Sequence, residues 1–546
     1  MPKMFVVVIV AVFAVCGARG QKAPLATHSC EGLAQLELSE AKVVSAEAVA
    51  AGTFTPPANM TPWLVGDPSF YKTLAGFCRV VVNAMPSADS DIKIEVWLPL
   101  NKKEDGAGWN GKFRGQGNGG FAGEIDYRGL AFAIHEGYAT AGTNTGHSAG
   151  GTDAGWALGH PEKVTDFGYR AIHEMTRIAK TVISTFYGSN TQHSYFGACS
   201  NGGRQALMEA QRFPEDYDGI LGGAPANFWT HLLTKALADV NATTLDPASY
   251  LPANKLPAIA RAVNAACDAQ DGLTDGLLND PRQCHFDAAR LLCKEGDGET
   301  CLTAAQVTTL KKLYDGLHDA KGNLIFPGYV PGAEEGPGGW GPWITGTAPG
   351  KSLMFAFGTG FFFNMVYEKT DWNYQDANIE QALKTAEEKT AQKLDAVDAN
   401  LAAFQARGGK LILYHGWNDP AISALNTINY YNSVATKMGR NTTSTFVRLY
   451  MAPGMQHCAG GPGPNSFGQG GEFVKDPQRN MELALEQWVE KGTPPHEIVA
   501  SKYVDDDSAK GVKMTRPLCP YPQIAKYKGK GDPNDARNFV CAPGKN

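Results

Sequence analysis

A serine between a predicted strand and a predicted helix is the first residue that could carry chemistry. Ser200 lies in the sequence ACSNG, which follows the strand-like stretch 193–198 and precedes a helical pattern over 202–213. Small residues around a serine in such a turn are typical of a nucleophile elbow, because the serine backbone is strained and the helix packs closely behind it. The alternative is an ordinary strand-to-helix turn in which the serine hydroxyl caps the helix.

An acid and a base follow this serine in the order of a hydrolase catalytic triad. Asp419 comes just after the buried-type strand 409–415, and His457 comes just after the next predicted strand, 445–451. Each residue alone could be a turn aspartate or a structural histidine, but the order serine, acid, histidine is that of α/β-hydrolases. Ser200 would attack an acyl carbon, His457 would take its proton and return it to the leaving alcohol, and Asp419 would orient the imidazole.

An acyl-transfer site also needs two backbone N–H groups that stabilise the oxyanion. One is expected from Asn201, the residue after the nucleophile, and the other from the glycine-rich turn 115–123, where Gly119 or Gly120 fits. The same turn matches the dinucleotide-binding pattern G-x-G-x-x-G, yet the residues after it do not form a convincing helix start. The sequence therefore favours an oxyanion hole here over a nucleotide site.

Strands that alternate with helical segments must position these groups. The predicted strands include 92–98, 193–198, 218–222, 409–415 and 445–451. This alternation predicts an α/β protein with a mostly parallel sheet. The stretch 227–405 interrupts it with cysteines, an acidic loop and an aromatic-rich segment. We therefore predict an α/β-hydrolase core over 21–226 and 406–546, with a large inserted lid domain at 227–405 that excludes water and shapes the acyl pocket.

The composition excludes several other classes of protein. The chain has 546 residues, of which 43% are hydrophobic and 10% aromatic, and its formal net charge is −6. These values exclude a mainly disordered chain, and without a basic surplus we expect no nucleic-acid partner. Lys3, the apolar run 4–15 and the small residues before Gln21 predict a signal peptide over 1–20. We therefore expect a secreted or periplasmic protein with no membrane association after cleavage.

The cysteine count agrees with export. Of eleven cysteines, Cys16 lies in the predicted signal peptide, and the other ten could form up to five disulfides in an oxidising compartment. Cys199 directly precedes the serine and Cys458 directly follows the histidine. A bond between them would join the nucleophile loop to the base loop, although each could instead pair elsewhere.

An acidic loop between Cys267 and Cys284 could hold a metal ion. Its candidate ligands are the carboxylates of Asp268, Asp271 and Asp275 and the carbonyl groups of Leu273 and Leu277. Such oxygen donors suit a hard cation such as Ca²⁺, although the spacing is not that of an EF-hand. The alternative is a solvated turn in which the aspartates cap the backbone. Because the loop lies far in sequence from the triad, a metal there would be structural.

Taken together, these motifs resemble the tannase and feruloyl esterase family, which includes the mono(2-hydroxyethyl) terephthalate hydrolase activity. The resemblance is carried by GACSNGGR, PEDYDGILGGAPA, the aspartate loop 267–284, GKLILYHGWNDPAIS, APGMQHCAGGPG and RPLCPYPQIAKYKGKGD, which span nearly the whole mature chain. It implies an α/β-hydrolase core with a lid and a structural calcium ion. It also implies the disulfides Cys30–Cys78, Cys199–Cys458, Cys267–Cys284, Cys293–Cys301 and Cys519–Cys541.

The resemblance further implies a small aromatic ester as substrate, with an acyl group linked to a polysaccharide or a tannin. Aromatic lid residues could stack on the acyl ring or simply fill the lid core; they are Trp340, Trp343, Phe355, Phe361, Phe362 and Phe363. A terephthalate monoester would need a cation for its free carboxylate. The stretch 345–370 contains no arginine, and Lys351 lacks the bidentate fork of arginine. Lys351 and Phe355 are the candidate substrate residues.

The predicted function is a secreted serine carboxylesterase that hydrolyses feruloyl-type esters through an acyl-enzyme. Tannase activity on galloyl esters is the alternative inside the class, and mono(2-hydroxyethyl) terephthalate hydrolysis ranks below it. Outside the class, the chain could be a calcium-stabilised binding protein on an inactive hydrolase scaffold. The intact set of Ser200, Asp419 and His457 argues against that alternative.

Overall fold

The computed structural model describes Met1 and residues 29–100, 108–471 and 474–544. The predicted signal peptide at 1–20 therefore lies outside the described residues, apart from Met1. Within the described ranges, no helix is both long enough and apolar enough to span a bilayer.

Short strands and helices alternate along the chain, as the sequence predicts for an α/β protein. The strands are β1 (Glu37–Leu38), β2 (Ala41–Val49), β3 (Phe77–Ala84), β4 (Ile92–Pro99), β5 (Lys112–Gln116), β6 (Ala139–Thr143), β7 (His193–Cys199), β8 (Gly219–Gly223), β9 (Leu317–His318), β10 (Leu324–Phe326), β11 (Lys410–Gly416), β12 (Val447–Ala452), β13 (Ile498–Tyr503), β14 (Val512–Leu518), β15 (Gln523–Tyr527) and β16 (Phe539–Pro543). The helices are α1 (Pro62–Val65), α2 (Pro68–Tyr71), α3 (Tyr127–His135), α4 (Pro161–Thr165), α5 (Ala171–Tyr187), α6 (Asn201–Arg212), α7 (Trp229–Thr244), α8 (Leu256–Cys267), α9 (Ala304–Asp315), α10 (Leu353–Phe361), α11 (Ile379–Ala386), α12 (Gln392–Leu394), α13 (Ala402–Ala406), α14 (Ala424–Met438), α15 (Arg440–Thr443) and α16 (Met481–Lys491).

A ten-stranded sheet forms the centre of the molecule, in the order β1-β2-β3-β4-β6-β5-β7-β8-β11-β12. Strands β1 to β4 and the β4–β6 pair are antiparallel, whereas every pair from β6 to β12 is parallel. Helices α5, α6 and α14 pack on one face of the parallel part, and α3 and α16 pack on the other. Because parallel strands need cover on both faces, their residues are nearly all buried. This arrangement is the predicted α/β-hydrolase fold.

The parallel strands bring distant loops to one edge of the sheet. Strand β7 lies between β5 and β8, and β11 lies between β8 and β12. The loops that leave the carboxyl ends of β5, β7, β11 and β12 carry the glycine-rich turn, the serine, the aspartate and the histidine, respectively. Ligands of open α/β sheets bind outside these carboxyl ends. The fold therefore gathers the predicted site at one place.

The segment between β8 and β11 forms a unit with its own apolar cluster, which includes Leu251, Ile259, Leu310 and Trp340. A second cluster joins α7 and α10 of this segment to Phe121 of the main body. The last residues of the predicted lid behave differently, because Ala396, Leu401 and Phe404 pack into the core beneath the sheet. Val330, in the middle of the predicted lid, belongs to the same core cluster, so the boundary at residue 405 stays a prediction.

The pairing implied by the family resemblance is present in all five disulfides: Cys30–Cys78, Cys199–Cys458, Cys267–Cys284, Cys293–Cys301 and Cys519–Cys541. Four of them close segments of 8 to 48 residues. The fifth, Cys199–Cys458, joins residues that are 259 apart in sequence. It is therefore the bridge that connects distant parts of the fold.

Candidate active site

Ser200 occupies a strained turn between β7 and α6. Its φ of 67° and ψ of −124° lie outside the regions that a non-glycine residue usually adopts. The turn is held because the Ser200 N–H donates to Gly223 O at 2.9 Å. A Cβ atom on Gly202 would lie 2.3 Å from Ala198 Cβ, and one on Gly203 would lie 2.2 Å from Gly223 O. The small residues around the serine are therefore required by close packing.

Asp419 and His457 meet beyond the ends of β11 and β12. The His457 Nδ1–H donates to Asp419 Oδ2 at 2.7 Å. The other carboxylate oxygen accepts the N–H groups of Ala421 and Ile422 at 2.8 and 2.9 Å. Burial alone would raise the pKa of Asp419, but the charge and hydrogen bonds of His457 and His415 hold it well below its usual value. The acid is therefore an anion in position to stabilise a charged imidazole.

A second histidine contacts the same carboxylate. His415, at the end of β11, donates from Nε2 to Asp419 Oδ2 at 3.0 Å and is fully buried. Sequence reasoning uses this residue only as the end of a strand. The only sequence signal for this contact is that His415 precedes Asp419 by four residues. Many unrelated residue pairs have the same spacing, so it does not identify the contact.

The Cys199–Cys458 disulfide joins the two loops that carry the serine and the histidine. Its Cα atoms are 6.0 Å apart. Ser200 and His457 both line one large cavity, which encloses about 1060 Å³. The structure therefore brings all three residues of the predicted triad to one site, with Asp419 buried behind His457.

The predicted oxyanion residues line the same cavity. Asn201 begins α6, where a first-turn N–H has no partner within the helix. Gly119 and Gly120 lie in the turn after β5 and also face the cavity. Gly120 has a φ of 57°, and a Cβ atom there would lie 2.2 Å from Gly151 O, which explains the glycine.

The neighbours of these two glycines have amides that are already engaged. The Asn118 N–H donates to Gln205 Oε1 at 3.1 Å, and the Phe121 N–H donates to Gly151 O at 2.7 Å. Within the described residues, neither the Gly119 nor the Gly120 N–H donates to a protein acceptor. Both amides thus fit the second oxyanion donor, and the choice between them stays open.

A buried arginine that the sequence analysis did not single out supports the start of α6. Arg204 is completely buried and donates to Asn201 Oδ1 from both Nε and Nη2, at 2.9 and 2.7 Å. It also donates to the carbonyl oxygens of Phe167 and Gly168. Burial lowers the pKa of Arg204 to about 9. The arginine closes the GACSNGGR motif, but only the packed structure shows that it holds Asn201.

The lid supplies an apolar wall of the cavity. We call this set of residues the lid wall: Trp229, Leu232, Leu233, Trp343, Leu353, Met354 and Phe357. The rings of Trp343 and Phe357 stack with their centroids 6.1 Å apart, and the Trp343 ring meets the His457 ring edge-on at 5.0 Å. The lid wall contains no charged side chain. It therefore suits a neutral, flat acyl group next to His457.

The two predicted substrate residues lie outside this wall. Lys351 is exposed and Phe355 packs against Tyr374, and neither lines the cavity. The same segment instead presents Leu353, Met354 and Phe357. The expectation for Lys351 and Phe355 is thus corrected, because the packing of α10 on α7 turns a different face toward the cavity.

Phe363 packs against Trp372 and does not line the cavity, and the remaining aromatic candidates divide into two groups. Trp343 lines the cavity, as a stacking residue should. Trp340, Phe361 and Phe362 are completely buried in apolar clusters, where they fill the lid core. Core filling therefore applies to Trp340, Phe361 and Phe362, whereas stacking on an acyl ring stays a prediction for Trp343.

The polar part of the cavity lies away from the lid. It includes Arg114, Gln116, Asp126 and Arg128 near β5 and α3, and Asn465, Gln469 and Asp506 near the carboxyl-terminal segments. Trp63 lies at its edge and is 66% exposed. An alcohol that leaves the site on this side would meet hydrogen-bonding groups.

In the acidic loop, backbone amides already bind the carboxylates of Asp268, Asp271 and Asp275. The Gly276 N–H donates to both oxygens of Asp268, and the N–H groups of Leu273 and Asn279 donate to Asp271. Burial raises the pKa of Asp271, the hydrogen bonds from Asn279 and Leu273 oppose this, and the charges of Asp275 and Asp268 add to the rise.

The donor chemistry of this loop fits a calcium ion. Among the described residues, no group donates a hydrogen bond to the carbonyl oxygens of Leu273 and Leu277. Across the same part of the chain, however, no three His, Cys, Asp or Glu side chains are already gathered as a metal site. Arg516, which is completely buried, donates to Asp275 Oδ2 at 2.8 Å. Calcium binding therefore stays a prediction.

The fold and the grouping of serine, histidine and aspartate around one cavity define a protein of the α/β-hydrolase class. A model of the tannase and feruloyl esterase family matches residues 78–542. The chain belongs to this family, as the resemblance in its motifs predicted, and it is a carboxylic ester hydrolase.

Individual relatives are similar over nearly their whole length. The chain is 40% identical to an uncharacterized esterase of Xanthomonas campestris pv. campestris, over 94% of this chain and 91% of the relative. It is 31% identical to a protein of Aspergillus fumigatus named "Probable feruloyl esterase B-1", over 93% of each chain. The crystal structure of feruloyl esterase B from Aspergillus oryzae matches with a TM-score of 0.84 at 30% identity and covers 94% of this chain and 99% of that one.

Proposed function

We propose that this protein is a secreted serine carboxylesterase that hydrolyses esters of hydroxylated aromatic acids, with feruloyl-type esters as preferred substrates. The observation that carries the proposal is the Asp419–His457 hydrogen bond next to Ser200 in a cavity with an aromatic lid wall. The similarity to feruloyl esterase B of Aspergillus oryzae supports the choice of acyl group.

Acylation begins with the transfer of a proton. His457 Nε2 accepts the proton of the Ser200 hydroxyl while Oγ forms a bond to the ester carbonyl carbon. The carbonyl oxygen becomes an oxyanion, which the N–H groups of Asn201 and of Gly119 or Gly120 stabilise. When the intermediate collapses, the bond from the carbonyl carbon to the alcohol oxygen breaks, and His457 gives its proton to the alcohol.

Deacylation repeats these steps with water. His457 Nε2 takes a proton from the water, whose oxygen bonds to the acyl carbon of the Ser200 ester. The bond to Oγ then breaks, the proton returns to Ser200, and the aromatic acid is released. Asp419 remains an anion throughout and stabilises the imidazolium that forms twice in each cycle.

The lid wall supports a neutral acyl group. A galloyl ring carries three hydroxyl groups, and a buried hydroxyl needs a hydrogen-bond partner. A terephthalate monoester carries a carboxylate, and an unpaired buried charge is still more costly. Because the lid wall has no charged side chain and Lys351 lies outside the cavity, feruloyl esters rank above galloyl esters and terephthalate monoesters.

The proposal includes a structural calcium ion in the loop between Cys267 and Cys284. Asp268, Asp271 and Asp275 would hold it with side-chain oxygens, and Leu273 and Leu277 with carbonyl oxygens. The oxygen-only donor set supports this assignment. Export is proposed from the signal-peptide pattern and from the five disulfides, which persist in oxidising compartments.

The test measures kcat/KM for methyl ferulate, methyl gallate and mono(2-hydroxyethyl) terephthalate, together with labelling by a fluorophosphonate probe. We expect methyl ferulate to be the best substrate, and we expect S200A to lose turnover by about 10⁴-fold or more and to lose labelling. S184A, on the surface side of α5, is the matched control and should behave as wild type.

Each other outcome overturns a stated part of the proposal. A preference for methyl gallate would favour a tannase, and a preference for the terephthalate ester would show that the lid wall accepts a carboxylate. Labelling of Ser200 without turnover would refute aromatic acid esters as substrates. Neither turnover nor labelling would favour a binding protein on an inactive scaffold.

A further inference from the structure

One oxygen of Asp419 accepts hydrogen bonds from two histidines. Oδ2 lies 2.7 Å from His457 Nδ1 and 3.0 Å from His415 Nε2. The side chains of Asp419 and His415 are completely buried, whereas His457 is 11% exposed and lines the cavity. A triad needs one histidine only, so the reaction proposed above leaves His415 without a role.

The partners of His415 assign which ring nitrogen carries the hydrogen in the neutral ring. Nε2 faces two groups that can only accept, Asp419 Oδ2 at 3.0 Å and Ile422 O at 3.1 Å, so Nε2 carries a hydrogen. Nδ1 lies 2.7 Å from the hydroxyl of Thr427 on α14, which donates to it in the neutral ring. Thr427 thus keeps His415 in the tautomer that donates to Asp419.

We infer that His415 is a positioning residue for the proposed ester hydrolysis: it orients Asp419, and through Asp419 it orients His457. The inference rests on the proposed function of the triad. His415 touches neither the substrate nor the serine, because it does not line the cavity.

The hydrogen bonds of the carboxylate explain how this works. The N–H groups of Ala421 and Ile422 hold Oδ1. His415 supplies a further donor for Oδ2. The carboxylate is therefore anchored at both oxygens independently of its hydrogen bond with His457. Loss of the His415 bond frees Oδ2 to move away from His457. A hydrogen bond to a carboxylate also delocalises part of its negative charge. Without the His415 bond, the Asp419 carboxylate therefore stabilises the His457 imidazolium more strongly.

Other ionisable groups reach this site from the lid. Burial raises the pKa of Tyr329, and the charges of Asp239 and Asp419 raise it further. Lys235 pairs with Asp239 at 2.7 Å, and its ammonium lies 4.4 Å from the centre of the Tyr329 ring. These groups are the same in every variant described below, so a difference between variants reports on His415.

The experiment compares H415M, which removes the donor, with H415Q, whose side-chain amide can replace Nε2–H. For H415M we expect kcat with methyl ferulate to fall about 10- to 100-fold, the range for losing a hydrogen bond to a charged group, while KM stays within about threefold. The acid limb of its pH profile should move upward by about half a pH unit. H415Q should recover at least about a third of the wild-type kcat and the wild-type pH profile.

T427V tests the same idea without changing a histidine. Valine has the shape of threonine and lacks the hydroxyl that holds Nδ1. We expect kcat to fall about three- to tenfold, with no change in melting temperature beyond a few degrees. This variant keeps the inference testable if H415M does not fold.

The matched control is H173Q. His173 also forms a histidine–aspartate pair, with Nδ1 2.7 Å from Asp216 Oδ2, and it lies away from the cavity. The kcat of H173Q should equal the wild-type value. The inference is wrong if H415M and T427V keep the wild-type kcat and acid limb, or if H415Q is as impaired as H415M at an equal melting temperature.

The rate of fluorophosphonate labelling separates this inference from the proposed function. If wild-type protein labels at Ser200 but turns over none of the three esters, the substrate class is wrong, and the same variants can be compared by labelling rate. If wild-type protein does not label, the triad itself fails, and the role of His415 fails with it.

Discussion

The Cα atoms of Cys199 and Cys458 lie 6.0 Å apart, although 259 residues separate them in sequence. Cys199 directly precedes the predicted nucleophile, and Cys458 directly follows the predicted base. The disulfide between them therefore limits how far the serine loop and the histidine loop can move apart. The two loops leave different strands. Among the disulfides of the described residues, Cys199–Cys458 is the one that joins them.

Removal of this disulfide should impair both stability and catalysis. For the double variant C199A/C458A, we expect the free energy of unfolding to fall by about 2–5 kcal/mol and kcat to fall by about tenfold or more. The control is C293A/C301A, which opens a bridge over only eight residues in the lid and should keep the wild-type kcat. Denaturant unfolding and methyl ferulate kinetics measure both effects. Wild-type kcat after verified loss of Cys199–Cys458 would contradict the prediction.

Asp419 should be needed for the rate and not for substrate binding. In D419N, a neutral amide replaces the anion that accepts the His457 Nδ1–H, so the imidazolium loses its stabilisation. We expect kcat to fall about 10³- to 10⁴-fold and KM to change by less than about fivefold. D89N is the control, because Asp89 also pairs with a histidine, His160, but on an exposed surface. Equal losses in D419N and D89N would refute the assignment.

The lid wall makes a prediction about substrate size. In F357A, the substrate loses an aromatic contact that is worth about 1.5–3 kcal/mol when fully buried. We expect kcat/KM for methyl ferulate to fall about 10- to 100-fold, and that for p-nitrophenyl acetate to change less than about threefold. F355A removes a phenylalanine from the same helix that does not line the cavity and is the matched control. A larger loss in F355A than in F357A would place the acyl group elsewhere.

Chelation tests the proposed calcium ion through stability alone. If the loop binds Ca²⁺ in the folded state only, excess ion stabilises the fold by about 2.7 kcal/mol at 100 times the dissociation constant. We therefore expect a chelator to lower the melting temperature of the wild-type protein, added Ca²⁺ to restore it, and D271N to show a smaller response. D287N is the control, since Asp287 caps a short turn elsewhere in the lid. An unchanged wild-type melting temperature after chelation means that the loop is stable without metal.

A buried acid on α6 should make stability depend on pH. Burial first, and the neighbouring Asp216 carboxylate second, raise the pKa of Glu209 well above its ordinary value of 4.5. Above pH 4.5 the folded protein therefore holds a proton that the unfolded chain releases, and the free energy of unfolding falls as the pH rises toward the raised pKa.

The variant E209Q removes this titration. We expect its stability relative to wild type to rise with pH by up to about 1.4 kcal/mol per pH unit, in denaturant unfolding between about pH 5 and pH 8. E295Q, at an exposed position in the lid, is the control and should keep the wild-type slope. Parallel pH profiles for wild type and E209Q would show that Glu209 ionises normally in the fold.

Local patterns in the sequence were sufficient to predict the α/β-hydrolase fold and the three residues that meet at the cavity. A nucleophile elbow depends on a few consecutive residues, because the strained Ser200 turn excludes large neighbours such as a side chain at Gly202. Asp419 and His457 follow recognisable strands, and the carboxyl ends of parallel strands meet at one edge. These features depend on short segments and on chain order, so they can be predicted without coordinates.

Contacts between distant segments were decided only by the tertiary structure. The face of α10 that reaches the cavity depends on its packing against α7, and so Phe357 lines the site while Phe355 does not. The bond from His415 to Asp419 depends on the turn after β11, and the Thr427 hydroxyl depends on how α14 packs. Periodicity shows that a helix has an apolar side, but it does not show which partner covers that side, because burial is set by the rest of the fold.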